Sequence, residues 1–252
     1  MNWKRAALIF FILHILVYPS SNGYNSFMDR DVTPIGGLRS PLQPTMQLFF
    51  VTIVMDLLAL ILSLYISIPF MMGIMLYILA SRAYSYRGIR LKRLPVAGFL
   101  TVFLFQGALI FFITWHGSHI HQSLDVPLIP CIISSLLIGA LYPLTQVYQH
   151  EDDKKDGVIT LSYTLGKKGS FVFSMMLFLA ATAMMYILLT PQPNQFYLFL
   201  LVMLPVVLFF LYWMKKVWSN NSEANYKNSL LMNAIATLCT TVFFLTLIIL
   251  NH

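Results

Sequence analysis

Apolar residues run along this chain in blocks long enough to cross a bilayer, and polar residues gather in short segments between them. Four stretches carry no charged residue: Leu94–Leu124, Val126–His150, Gly169–Met214 and Asn228–His252. A hydrocarbon core about 30 Å thick takes roughly 20 residues of helix, so the first, second and fourth stretches each fit one span. Gly169–Met214 holds two, with Thr190–Gln195 (TPQPNQ) as the turn between them. The pattern predicts eight helices, at about 6–27, 46–66, 69–84, 96–116, 127–148, 170–190, 195–214 and 229–250. Pro69 suits the first turn of its helix, where a missing N–H costs nothing. Backbone in lipid must satisfy its own hydrogen bonds, so the expected fold is all-α: one polytopic transmembrane bundle over residues 1–252.

Composition supports this reading. Hydrophobic residues make up 58% of the chain and charged ones 10%, against about 25% charged in a soluble domain. The net charge of +7 therefore points to loop orientation and not to nucleic acid. Fourteen of the 16 basic residues lie in the first, third, fifth and seventh loops, and the even loops hold none. That asymmetry predicts cytoplasmic odd loops and external termini. Lys4 and Arg5 break the rule. Followed by Ala6–Tyr18 and the small residues Ser20, Ser21 and Gly23, they imitate a cleavable leader, but a retained helix is expected because the polar segment after it carries candidate chemistry.

Six of the nine acidic residues fall in two of the basic loops, each just after a helix. In the first segment, Asn25 and Asp29 are four apart and share a helix face, with Asn22 a further turn back and Asp31 beyond. In the second, Gln149 and Asp153 repeat that spacing beside Glu151, Asp152 and Asp156. Amide and carboxylate oxygens at a helix end suit a hard cation. Mg²⁺ takes one or two carboxylates and completes its shell with water and phosphate oxygens. Two such helix ends facing each other would hold a diphosphate between metal ions, with Arg90, Lys92, Arg93 and Lys154 as contacts for its remaining oxygens. A solvated charged face is the plainer alternative.

At these residues the chain resembles the UbiA-type membrane prenyltransferases. Asn25, Asp29 and Arg30-Asp31 look like that family's first aspartate motif, and Asp153-Lys154, Gly157, Thr160-Leu161 and Leu165-Gly166 like its second. Tyr84-Ser85 and Leu91-Lys92-Arg93 with Pro95 resemble its Tyr/Lys loop between them. The likeness covers about residues 15–170. It departs from the pattern at Ser26, Thr33 and Gln149, each standing where the family commonly has Asp, and Tyr86 to Arg90 is the nearest Tyr-x-x-x-Lys spacing. The family has nine helices, and the expected missing one is the first, which would account for Lys4 and Arg5.

The resemblance implies an Mg²⁺-dependent transferase that moves an isoprenoid chain from a prenyl diphosphate to an aromatic or lipophilic acceptor. It assigns Asn25, Asp29, Glu151 and Asp153 to metal binding, Asp31 and Asp152 as second choices, and Arg90, Lys92 and Lys154 to diphosphate. Two other classes stay open: a family member that binds a prenyl lipid or a partner protein without catalysis, and a transporter. Asp56 lies inside a span, where an ionisable group reads first as functional and otherwise as a hydrogen-bonded packing residue. His116, His119 and His121 fall in an external loop and are expected to be interfacial. Cys131 and Cys239 sit in apolar runs as buried small residues.

Overall fold

The computed structural model describes residues 1–35 and 38–250. Among the described residues it is helical, with eight helices long and apolar enough to cross a membrane. These are α1 (Trp3–Asp29), α2 (Met46–Leu64), α3 (Ile68–Ser85), α4 (Pro95–Ser118), α5 (Leu128–Gln146), α7 (Leu161–Leu189), α8 (Pro193–Ser219) and α9 (Tyr226–Leu250). A short α6 (His150–Lys155) carries the second acidic segment. The helix ending near 214 in the sequence reading extends to 219 through Lys215 and Lys216, and the one beginning near 170 extends back through Lys168 and Lys167 to a break at Gly166, before which a further turn starts at Leu161. Lysine is a good helix former, so charge marks the membrane edge without ending the helix.

The chain forms two compact units, Met1–Ile138 and Gly139–His252. In the first, Ile9, Ile12, Leu13, Leu16 and Val17 of α1 pack with Ala59 of α2, Phe70, Ile74 and Tyr77 of α3, and Ile113 of α4. Between apolar helices in lipid, burial alone sets no register; small residues and interhelical hydrogen bonds do, at about 0.6 kcal/mol per bond. Gly107 is one such device: a Cβ there would lie 2.4 Å from the Ser135 Cα, and Ser135 Oγ accepts from the Ala108 N–H at 2.9 Å. A row of polar contacts joins α1 to α3. Ser21 Oγ meets Ser81 Oγ at 2.6 Å, and one turn on, Ser85 Oγ donates to Asn25 Oδ1 at 2.8 Å. Asp56 accepts from Arg82 and lies 2.6 Å from Ser20 Oγ, while the Arg82 guanidinium covers the Tyr24 ring at 4.0 Å. The intramembrane carboxylate is thus paired and hydrogen-bonded, which answers the cost of placing it there.

Arg5, anomalous as a topology signal, has a local partner: its Nη2 donates to the carbonyls of His119 and Ile120 at 2.6 and 3.0 Å. His116 is held between Ser67 Oγ (2.8 Å) and the Ser123 carbonyl (3.0 Å), and His119 stacks on Trp115.

In the second unit, Phe171 of α7, Phe210, Trp213 and Val217 of α8, and Met232 and Ala236 of α9 pack with Leu144 and Val147. Ser229 Oγ donates to the Leu144 carbonyl at 3.0 Å, tying α9 to the end of α5, from which the acidic segment leaves. Cys131 and Cys239 are buried free thiols.

Candidate functional site

The first acidic segment becomes a buried cluster. Arg30 closes α1 in the left-handed conformation (φ 55°), which makes Asp29 the last helical residue. Arg90 adopts the same conformation (φ 50°) and starts the tight turn Leu91–Arg93 after α3. A side chain at positive φ costs roughly 1 kcal/mol or more, and such positions concentrate at functional sites. Here they bring two distant segments together. Lys92 Nζ donates to Asp29 Oδ2 and lies 3.3 Å from Asn25 Oδ1, and Arg90 Nη2 reaches Asp29 Oδ1 at 3.4 Å. The Asp29 side chain is 7% exposed, and those of Arg90 and Lys92 are 8% and 10% exposed. Arg87 fastens the same helix end through the carbonyls of Met28 (2.7 Å) and Asp29 (3.4 Å). Asp31 lies past the end of α1, half-buried, with its carbonyl 3.5 Å from Gln43 Nε2.

Asn25, Asp29, Arg90 and Lys92 therefore meet in one place. Two all-oxygen donors stand beside two cations, a donor set that fits Mg²⁺ carrying phosphate oxygens. Ser85, which holds Asn25, was not singled out from sequence as a site residue, although it lies in the Tyr84-Ser85 pair that did stand out.

The second acidic segment is built differently. Glu151 is exposed, and Asp152 pairs with Lys155 at 3.1 Å on the open side of α6. Asp153 is half-buried; its N–H donates to the Gln149 carbonyl at 2.9 Å and its own carbonyl accepts from Val158 at 2.8 Å. Lys154 extends over the Tyr163 ring, 6.0 Å from its centre. Among the described residues no three His, Cys, Asp or Glu side chains gather as a metal-binding group. Glu151, Asp152 and Asp153 thus share a helical turn without converging.

Beneath them lie two residues the sequence reading passed over. Gln146 is buried at the end of α5, and its Oε1 has no hydrogen-bond partner. It stands three residues before Gln149 and seven before Asp153, one helical face by spacing, and that spacing was the signal available. His150 is buried with Nε2 2.8 Å from Ser162 Oγ. Burial and the nearby Lys167 push its imidazole down to about 4, so it is neutral at physiological pH.

The family model of the UbiA prenyltransferases matches residues 1–248. No curated protein matches the sequence. Among solved structures, a UbiA homologue from Archaeoglobus fulgidus bound to DMAPP and Mg²⁺ is similar with a TM-score of 0.64, at 18% identity over 96% of this chain and 85% of that one. The same homologue bound to GPP and Mg²⁺ gives 0.64 at 19% identity, over 96% and 87% of the two chains. A digeranylgeranylglyceryl phosphate synthase structure gives 0.61 at 20% identity, over 99% and 86%. With eight apolar helices, matching fold and matching family model, the chain is an integral membrane protein and belongs to the UbiA prenyltransferase family.

Proposed function

We propose that this protein is an Mg²⁺-dependent membrane prenyltransferase, moving an isoprenoid chain from a prenyl diphosphate to a lipophilic or aromatic acceptor. The observation that carries the reading is the buried contact of Asn25 and Asp29 with Arg90 and Lys92. Structures of a family homologue bound to DMAPP or GPP with Mg²⁺ support it. Asn25 and Asp29 are the metal ligands of the first segment, with Asp31 in reserve. Glu151 and Asp153 are those of the second, with Asp152 in reserve and Gln146 added as an oxygen donor. Arg90, Lys92 and Lys154 bind diphosphate.

Bound Mg²⁺ stabilises negative charge on the departing diphosphate. Arg90 and Lys92 do the same from the protein: as the allylic C–O bond breaks, its electron pair leaves with the diphosphate and two fixed cations meet the growing charge. The acceptor forms the new bond to the allylic carbon and releases a proton. The basic and acidic loops lie on the cytoplasmic side, where water-soluble diphosphate is released.

One alternative has its own support. Gln149 and Thr33 replace aspartates common in the family, which favours a member that binds a prenyl lipid without turning it over. The test uses purified protein in detergent with a labelled prenyl diphosphate, with and without Mg²⁺, and a panel of lipid acceptors. Mg²⁺-dependent binding and transfer, both lost in the Asp29→Ala, Asp153→Ala double variant, is the expected result. Binding without transfer to any acceptor would favour the non-catalytic member. No binding by folded wild type would overturn the proposal.

A further inference from the structure

We propose that His150 is a positioning residue for the second acidic segment, acting through a buried relay of hydroxyls that ends at the Gly166 kink; this rests on the metal-binding reading of that segment.

The relay is continuous. His150 Nε2 lies 2.8 Å from Ser162 Oγ, Ser162 Oγ lies 2.8 Å from Ser170 Oγ, and Ser170 Oγ reaches the Gly166 carbonyl at 2.9 Å. Both serines are fully buried and His150 is 8% exposed. One proton assignment satisfies every group. His150 Nε2–H donates to Ser162, Ser162 donates to Ser170, and Ser170 donates to the backbone, so each hydroxyl gives once and accepts once. In that assignment the imidazole carries a proton on Nε2.

The geometry at the far end explains why a relay is needed. Gly166 sits inside α7 at φ 72°, ψ 169°, a conformation open almost only to glycine, and it interrupts the helix. The residues before the interruption, Ser162 among them, lie against the start of α6, where Ser162 Oγ meets His150. Ser170, one turn past the kink, has the carbonyls of Gly166 (2.9 Å) and Ser162 (3.2 Å) within reach of its single O–H, and so sits across the break. Tyr163 packs its ring against His150 at 5.6 Å, and Lys154 Nζ lies 6.0 Å from the centre of the same ring.

The acidic helix does not support itself. It is six residues long, below the length at which a helix persists by itself. Its Asp152–Lys155 pair is exposed and contributes almost nothing. His150 is its buried anchor. Glu151, Asp152 and Asp153 follow immediately, so the ring's orientation sets where their carboxylates point.

Two measurements test this on full-length protein. In hydrogen exchange, His150→Ala is expected to speed exchange of the amides at residues 151–155 by about tenfold, with α8 and α9 unchanged. In Mg²⁺ titrations of farnesyl diphosphate binding, the same variant is expected to raise the half-saturating Mg²⁺ concentration about tenfold, with unchanged diphosphate affinity at saturating Mg²⁺. His150→Gln, whose amide nitrogen reaches the position of Nε2, is expected to restore both to within about twofold. Should His150→Ala not fold, Ser170→Ala cuts the far end of the relay and moves both readings in the same direction. Variants that lower thermal stability but leave segment exchange and Mg²⁺ requirement unchanged would overturn the proposal. If wild type shows no Mg²⁺-dependent binding, the metal reading fails, and the exchange measurement still decides whether His150 anchors the segment.

Discussion

Asn25–Asp29 and Gln149–Asp153 carry the same spacing, an amide one turn before a carboxylate, but the fold treats them in opposite ways. The first is buried and already filled with protein cations: Lys92 and Arg90 sit on Asp29, and Ser85 and Lys92 on Asn25. The second keeps Glu151 exposed and Asp152 in a solvent-screened pair, and its order comes from a neutral histidine beneath it. Under the proposed function, the two segments differ in what a bound metal would meet. At Asp29 a metal would share the carboxylate with two buried cations, Arg90 and Lys92. At Glu151 it would meet an exposed carboxylate. On that proposal the first segment suits a metal arriving with its diphosphate, and the second a metal bound more independently.

The largest expected effect falls on the first segment. Asp29→Ala leaves two buried cations without their carboxylate, so it is expected to abolish prenyl diphosphate binding and to lower stability by about 3–5 kcal/mol. Glu151→Gln is the matching test of the second: a stability change within about 0.5 kcal/mol, since an exposed charge is lost, but a higher Mg²⁺ requirement. Equal stability losses in the two variants, measured by unfolding in detergent, would erase the contrast.

Gly166→Ala probes the hinge under the second segment. A Cβ there meets nothing within 4 Å, so the expected cost of about 1–3 kcal/mol is backbone strain alone, read as a lower unfolding midpoint.

The smallest effect is in pH. The folded His150 titrates near 4, below its ordinary 6.5, so between these values the unfolded chain binds the proton and the folded one does not. The contribution of neutral His150 is whole above about pH 6.5 and is lost progressively as pH falls toward 4. His150→Gln is expected to flatten that part of the stability profile, leaving the slope due to other groups.

Much of this contrast was legible in the sequence. Apolar block length gave the eight spans, and four-residue spacing placed Asn25 with Asp29 and Gln149 with Asp153. What could not be read was partnership. Arg82 counts as a loop charge in sequence, yet it reaches back to neutralise Asp56. Lys92 and Arg90 lie more than sixty residues from Asp29 and meet it at the left-handed turn that Arg90 makes after α3. The π-helical turns at Ile12–Val17 and Val102–Leu109 also left no periodic signal, because one added residue per turn is lost within an all-apolar run. His150 was hidden by its acidic neighbours; its partners Ser162 and Ser170 lie on the next helix.

The most direct test of the account is a calorimetric titration of inorganic diphosphate with Mg²⁺ into wild type and Lys92→Gln. Binding that requires Mg²⁺ in wild type and weakens about tenfold or more in the variant is predicted, the loss expected for one charge-assisted contact. Equal affinity in the two proteins would contradict the assignment of the Asp29–Lys92 cluster as the diphosphate site.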